Sequence, residues 1–283
     1  MARRIVVGVD GSAPSAAAVE WAAADAERRG LPLRIVHVCE QWPHSPGGPA
    51  YCAKALEAAA TRARELGAEV TTETLTGNVI DDLIGESAPA DSMVLGSRGL
   101  GGFAGLVLGS VSLAVAGHAV GPVVIVRAPM QARHGRVVVG YDGSEHSRAA
   151  MEYALAQARA QGAELRVVYG WRTPMFSSYA AVSGSLLEDA FQQQVRMARE
   201  RVASWREGNP DVKITDAEVC EHPVAALIQA SQTADLVVVG SRGLDAFASA
   251  VLGSVSHGVL HHVTCPVAVV RPREEGDRPC GRG

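Results

Sequence analysis

Lysine is almost missing. A chain of 283 residues holds only Lys54 and Lys213, and neither stands in a glycine loop. That excludes the G-x-x-x-x-G-K-(S/T) loop, whose lysine reaches the terminal phosphates of a nucleotide. An excess of one charge is lacking too. Twenty-six Lys plus Arg face thirty Asp plus Glu, a formal net charge of −4. Residues 1–134 and 135–283 each contribute −2, so no general electrostatic grip on nucleic acid is expected. Cysteine is sparse and unpatterned. Cys39, Cys52, Cys220, Cys265 and Cys280 are odd in number and without a C-x-x-C, which argues against both a disulfide framework and a zinc site. The opening MARRIVVGVD meets an acidic residue after a short apolar stretch, so it does not read as a signal peptide, and the cytoplasm is the expected address.

A membrane span is also not expected. The 28 residues Gly99–Val126 carry no formal charge, but they include seven glycines, His118 and Gly121-Pro122. Such a run reads as loop, helix and short strand rather than one spanning helix. A second uncharged run, Ala246–Val270, holds His257, His261 and His262, a poor lipid-facing surface.

What is present is an ordinary globular composition, 47% apolar and 20% charged, over a length suited to about two domains. The chain repeats itself. Val7–Ser12 (VGVDGS) returns as Val139–Ser144 (VGYDGS), 132 residues on. Gly96–Leu100 (GSRGL) and Val107–Ser112 (VLGSVS) return as Gly240–Leu244 and Val251–Ser256, 144 residues on. The second copy therefore has about twelve extra residues, assigned to the loop Gly170–Ser185. Two domains are expected, 1–131 and 135–272, with a disordered polar tail at 273–283.

Within each copy short apolar runs alternate with helical spacing. Strands are expected at Ile5–Val9, Leu33–Val38, Val70–Leu75, Ser92–Gly96 and Val123–Val126. Helices are expected at Ala16–Arg28, with Ser12 as cap and Pro14 in the first turn, and at Lys54–Leu66, Val79–Ser87 and Gly109–Val120. The second copy reads as strands Val137–Tyr141, Leu165–Tyr169, Ile214–Val219, Leu236–Gly240 and Val267–Val270, with helices Ser147–Gln161, Leu186–Trp205, Ala225–Thr233 and Gly253–His262. The class is α/β, two Rossmann-like domains, each a mainly parallel sheet covered on both faces.

In such sheets ligands bind beyond the C-terminal strand ends. Asp10 and Asp142 follow the first strand of each copy. A glycine arc follows the fourth: Gly96-x-x-Gly99, nine residues, then Gly109-Ser110, and likewise Gly240, Gly243, Gly253 and Ser254. Glycine lets backbone amides approach an anion closely, and a helix opening there adds its free N–H groups and positive dipole end. The Ser110 hydroxyl could donate to a phosphate, with Arg98 and Arg242 at the rim. Asp10 and Asp142 suit sugar hydroxyls or an adenine amino group. Each could instead cap its own turn, and Ser110 and Ser254 could be plain helix caps. His118 and His262 read as packing residues favoured by the helix C-terminal dipole.

These residues resemble the universal stress protein family, specifically a tandem member of its ATP-binding class. The family motif G-2x-G-9x-G-(S/T) is complete in both halves, and the likeness covers residues 3–271. The resemblance implies adenine nucleotide alpha hydrolase-like domains, each a five-stranded sheet of order 3-2-1-4-5, with ATP, with or without Mg²⁺, at the strand C-termini. It implies that Asp10 contacts adenosine and that Val38 lies against adenine; Val9, beside Asp10, is taken as a further ATP-binding residue. Gly96, Gly99, Gly109, Ser110 and Val111 would hold ribose and phosphates. Asp142, Gly240, Gly243, Gly253, Ser254 and Val255 match these positions in the second half. There Gly170 stands at the Val38 position, with Tyr169 or Trp171 as substitutes for adenine packing. The resemblance also implies pairing of the last strands within the chain and a module able to form a homodimer.

No G-x-G-x-x-G follows the first strand, no G-x-S-x-G elbow appears, and no paired histidines sit near the first helix;. The expected function is an ATP-binding regulator of the stress response without a catalytic residue. The alternatives are a slow ATPase or adenylate-handling hydrolase, and a nucleotide-independent interaction module using the loops Cys39–Cys52 and Gly170–Ser185.

Overall fold

The computed structural model describes residues 3–39, 48–101, 107–129, 132–170, 193, 196–197, 200–219, 222–244 and 251–273. The twelve-residue insertion and the tail beyond residue 273 lie outside them. The first half runs β1 (Ile5–Gly8), α1 (Ala13–Arg29), β2 (Leu33–Cys39), α2 (Gly48–Glu65), β3 (Val70–Thr76), α3 (Val79–Ser87), β4 (Ser92–Gly96), α4 (Ser110–His118) and β5 (Val123–Val126). The second runs β6 (Arg136–Gly140), α5 (Glu145–Gln161), β7 (Glu164–Gly170), α6 (residues 200–208), β8 (Ile214–Val219), α7 (Pro223–Ser231), β9 (Leu236–Gly240), α8 (Ser254–His262) and β10 (Val267–Val270).

Local chemistry sets the helix ends. Ser12 caps α1 by accepting from the Ser15 amide at 3.3 Å, and Ser144 caps α5 through Ser147 at 3.1 Å. Gly30 and Gly162 end these helices in the left-handed region, at φ 59° and 60°, where a Cβ would be strained. The largest departure from expectation is α2, which starts at Gly48 rather than Lys54.

All ten strands form one sheet, β3-β2-β1-β4-β5-β10-β9-β6-β7-β8, so each half has the order 3-2-1-4-5. Pairing is parallel within each half. At the seam β5 and β10 run antiparallel, with Val123 opposite Val269, Val124 opposite Ala268 and Ile125 opposite Val267. Val124 and Ala268 are repeat mates, so a pseudo-twofold axis passes between them. Central strands such as β1, β5 and β10 are buried on both faces, as their continuous Val/Ile runs require;. One core lies under α1, α2, α5 and α6, and the other under α3, α4, α7 and α8.

Within the uncharged run Gly99–Val126 the described residues include α4 and β5, and no helix among the described residues is long and apolar enough to cross a membrane. One expectation is corrected: His118 and His262 are exposed rather than packed. His118 turns its Nδ1 back to the Ala114 carbonyl at 2.9 Å.

Candidate functional site

At the C-terminal end of β1 the chain turns through Asp10-Gly11, with Gly11 at φ 84°. The Asp10 carboxylate holds two loops together. Its Oδ1 accepts from the Ser12 amide at 3.0 Å and its Oδ2 from the Leu100 amide at 2.9 Å, across 90 residues of sequence. Asp142 repeats this with Ser144 at 2.9 Å and Leu244 at 3.1 Å. Each aspartate thus caps its own turn and grips the glycine arc as well. Ser12 adds a hydrogen bond from its hydroxyl to the Arg98 carbonyl at 3.2 Å.

The arc closes on itself: Gly109 N–H donates to the Ser97 carbonyl and Gly253 N–H to the Ser241 carbonyl, both at 2.8 Å. Its middle, residues 102–106 and 245–250, lies outside the described residues. Glycine is needed here for space. A Cβ at Gly99 would stand 2.5 Å from Asp10 Oδ2, and one at Gly243 would stand 2.6 Å from Asp142 Oδ2. Gly96 and Gly240 have a packing reason instead: a Cβ on either would strike the first turn of the overlying helix, at Pro14-Ser15 and at His146.

Gly109 and Gly253 are the N-caps of α4 and α8, and neither helix has a side-chain cap. Ser110 and Ser254 therefore are not caps but first helical residues, and both are exposed. The next serines do the anchoring that sequence reading missed. Ser112 donates to the Gly96 carbonyl at 2.7 Å and Ser256 to the Ser241 carbonyl at 3.0 Å, which holds each helix N-terminus against the strand end. The repeated S-V-S was their signal. Uncapped first-turn amides are anion donors.

Two further arginines close the crevices. Arg127 follows β5 and donates to the Val107 carbonyl of its own arc at 3.1 Å and to the Leu260 carbonyl of the other half. Its mate Arg271 donates to the Val251 carbonyl at 3.3 Å and to the Gly117 carbonyl. Burial lowers the pKa of both, and repulsion adds to it, from Arg98 on Arg127 and from Arg242 on Arg271. Arg242 also has a buried Nε without a hydrogen-bond partner. Guanidiniums crowded together beside free helix amides fit an anion that would relieve their repulsion. The two Val-Arg steps at the ends of β5 and β10 were a legible signal.

Val9 does not present its side chain: it packs in the core under α1 and α2, leaving only backbone for a ligand. Val38, Val111 and Val255 are half-buried against the opposite core. Gly170 is the last residue of β7. Tyr169 packs edge-on against Tyr141, ring centroids 5.5 Å apart, and Trp171 lies outside the described residues. Tyr51 of α2 covers the first turn, donating to the Asp10 carbonyl at 3.0 Å.

His146 is peculiar to the second crevice, where Pro14 stands in the first. Its Nδ1 lies 2.9 Å from Ser241 Oγ. Burial, then Arg242 and Arg271, hold its pKa below the ordinary value. The unfolded chain therefore takes up this proton first as pH falls, and stability drops from about pH 6.5 downward. The His146→Gln variant should lose less melting temperature than the parent between pH 7.5 and 5.5. Parallel curves would refute this.

Known proteins align with this arrangement over nearly the whole chain. The profile of the Universal stress protein family matches residues 1–127 and 134–271. Universal stress protein Rv1996 of Mycobacterium tuberculosis is 36% identical, over 94% of both chains. A universal stress protein of Mycolicibacterium smegmatis is 35% identical, over 95% of this chain and 97% of its own. A crystal structure of a universal stress protein from Archaeoglobus fulgidus shares the fold, with a TM-score of 0.72 at 22% identity over 94% of this chain and 97% of that one. With the duplicated sheet and its two Asp-gripped glycine arcs, these matches establish that the chain belongs to the universal stress protein family, as a tandem member.

Proposed function

We propose that each crevice binds an adenine nucleotide, ATP first among them, and that occupancy regulates this protein's part in the stress response by changing the shape or partners of the module. The observation that carries the reading is the doubled bridge from Asp10 to Leu100 and from Asp142 to Leu244, each beside an uncapped helix N-terminus. In it the arc amides and the first turn of α4 or α8 hold phosphates, with Arg98 and Arg127, or Arg242 and Arg271, neutralising charge. The carboxylates are engaged by amides, so they serve the nucleoside end and leave Mg²⁺, when present, to the phosphates.

The role is binding: amides, guanidiniums and carboxylates position a nucleotide, and the reading assigns none of them as a nucleophile. Saturation at a hundredfold excess over Kd contributes about 2.7 kcal/mol per site. Two filled sites should therefore raise the melting temperature by on the order of 10 °C. Thermal unfolding with millimolar Mg-ATP checks this, alongside nucleotide released from freshly purified chain on denaturation. No shift and no released nucleotide would overturn the proposal.

A further inference from the structure

A second cluster lies beside the first crevice and outside the nucleotide reading. Successive side chains of a strand point to opposite faces. His37 and Cys39, two apart on β2, thus share the face that α2 covers, and α2 brings Cys52 to them. One ring nitrogen of His37, Cys39 Sγ and Cys52 Sγ all lie within 4.8 Å of one another. His37 is 6% exposed, and its Nδ1 has no hydrogen-bond partner. The cysteines are joined as a disulfide, Cα atoms 6.4 Å apart, which corrects the expectation that the scattered cysteines form no bridge. The crossover, not sequence spacing, brings them together.

The scaffold does not demand this trio. By the repeat, Tyr169 stands in the second half where His37 stands in the first, and Trp171 stands where Cys39 stands. A buried imidazole nitrogen left unpaired costs free energy in an apolar site, and a metal ion would satisfy it. One imidazole and two thiolates are soft-to-borderline donors that favour a d¹⁰ cation. Tetrahedral zinc with such ligands needs donor separations of about 3.5–3.8 Å, inside the 4.8 Å within which the three donor atoms already lie.

We infer that His37, Cys39 and Cys52, with the disulfide reduced, form a binding site for one Zn²⁺ per chain. Three protein ligands leave the fourth position to water or another donor. A dithiol reductant opens the bridge: the S–S bond breaks with uptake of two electrons and two protons, and the reductant becomes a disulfide. Zinc then displaces one proton from each thiol, releasing both to water. The oxidised and metal-bound states exclude each other.

The test uses the full chain with Cys220→Ser and Cys280→Ser, so that two further thiols do not compete. Burial pushes the Cys265 thiol up to about 12, which disfavours it as a ligand. The reduced chain should retain one Zn²⁺ after desalting, and with Co²⁺ should show thiolate-to-metal charge-transfer absorption. The Cys39→Ser, Cys52→Ser and His37→Gln variants should each lose zinc. The same chain with its bridge intact should hold none, an arm that needs no ligand variant to fold. Absence of zinc from the reduced chain, or equal zinc in the bridged chain or in the Cys39→Ser/Cys52→Ser variant, would overturn the inference.

Discussion

Replacing Gly99 by valine should empty the first nucleotide site and leave the second filled. The Cβ alone would stand 2.5 Å from Asp10 Oδ2, well inside contact distance, so the carboxylate has to swing away. With it goes the hydrogen bond to the Leu100 amide at 2.9 Å that draws the arc over the crevice. Gly99 is exposed and is not among the glycines at positive φ, so the fold itself has little reason to suffer. Loss of the bridge and of close backbone approach should weaken binding at least about a hundredfold, near 2.7 kcal/mol.

Gly243→Val should do the same at Asp142, where the Cβ would stand 2.6 Å from Oδ2. Isothermal titration with Mg-ATP should give two sites in the parent, one in either variant and none in the pair. The ligand-induced rise in melting temperature should halve and then vanish. Two full sites persisting in the double variant would remove the glycine arcs from the binding assignment, while leaving the zinc inference untouched.

The duplication made much of this legible. Two copies of the same turn and arc, at offsets of 132 and 144, marked which residues belong together, and continuous Val/Ile runs marked strands buried on both faces. Strand order and seam pairing came from the resemblance, and β5 against β10 follows it. What stayed hidden depends on contacts between distant segments. Cys39 and Cys52 are 13 apart and meet only because α2 crosses over β2. The reach of Arg127 to Leu260 spans 133 residues and has no local periodicity to announce it. Ser110 drew attention as the motif serine, while the anchoring falls to Ser112, whose spacing turns it toward the strand end.

The seam conceals a charge that should be costly to remove. Asp25 of α1 is fully buried. Its Oδ2 accepts from Arg29 at 3.3 Å and from Gln157 of α5 at 3.1 Å, and Arg28 lies 3.5 Å from Oδ1. Gln157 is the repeat mate of Asp25, 132 residues on, so the two meet near the pseudo-twofold axis. A strict repeat would set carboxylate against carboxylate in a buried space. The amide instead donates to Asp25, with the same Nε2 lying 3.1 Å from the Tyr153 hydroxyl. Asp25→Ala strips Arg28 and Arg29 of a buried partner and leaves the Gln157 amide one acceptor short. Removing one member of a buried pair costs about 3–5 kcal/mol, so melting should fall by on the order of 10 °C. Asp25→Asn, which keeps an oxygen facing Gln157, should lose distinctly less. Gln157→Glu, which restores two facing carboxylates, should destabilise the chain most near neutral pH and recover as acid protonates one of them. If calorimetry finds Asp25→Ala melting within a degree or two of the parent, the network is ornamental and the two halves are held by the β5–β10 seam and apolar packing alone.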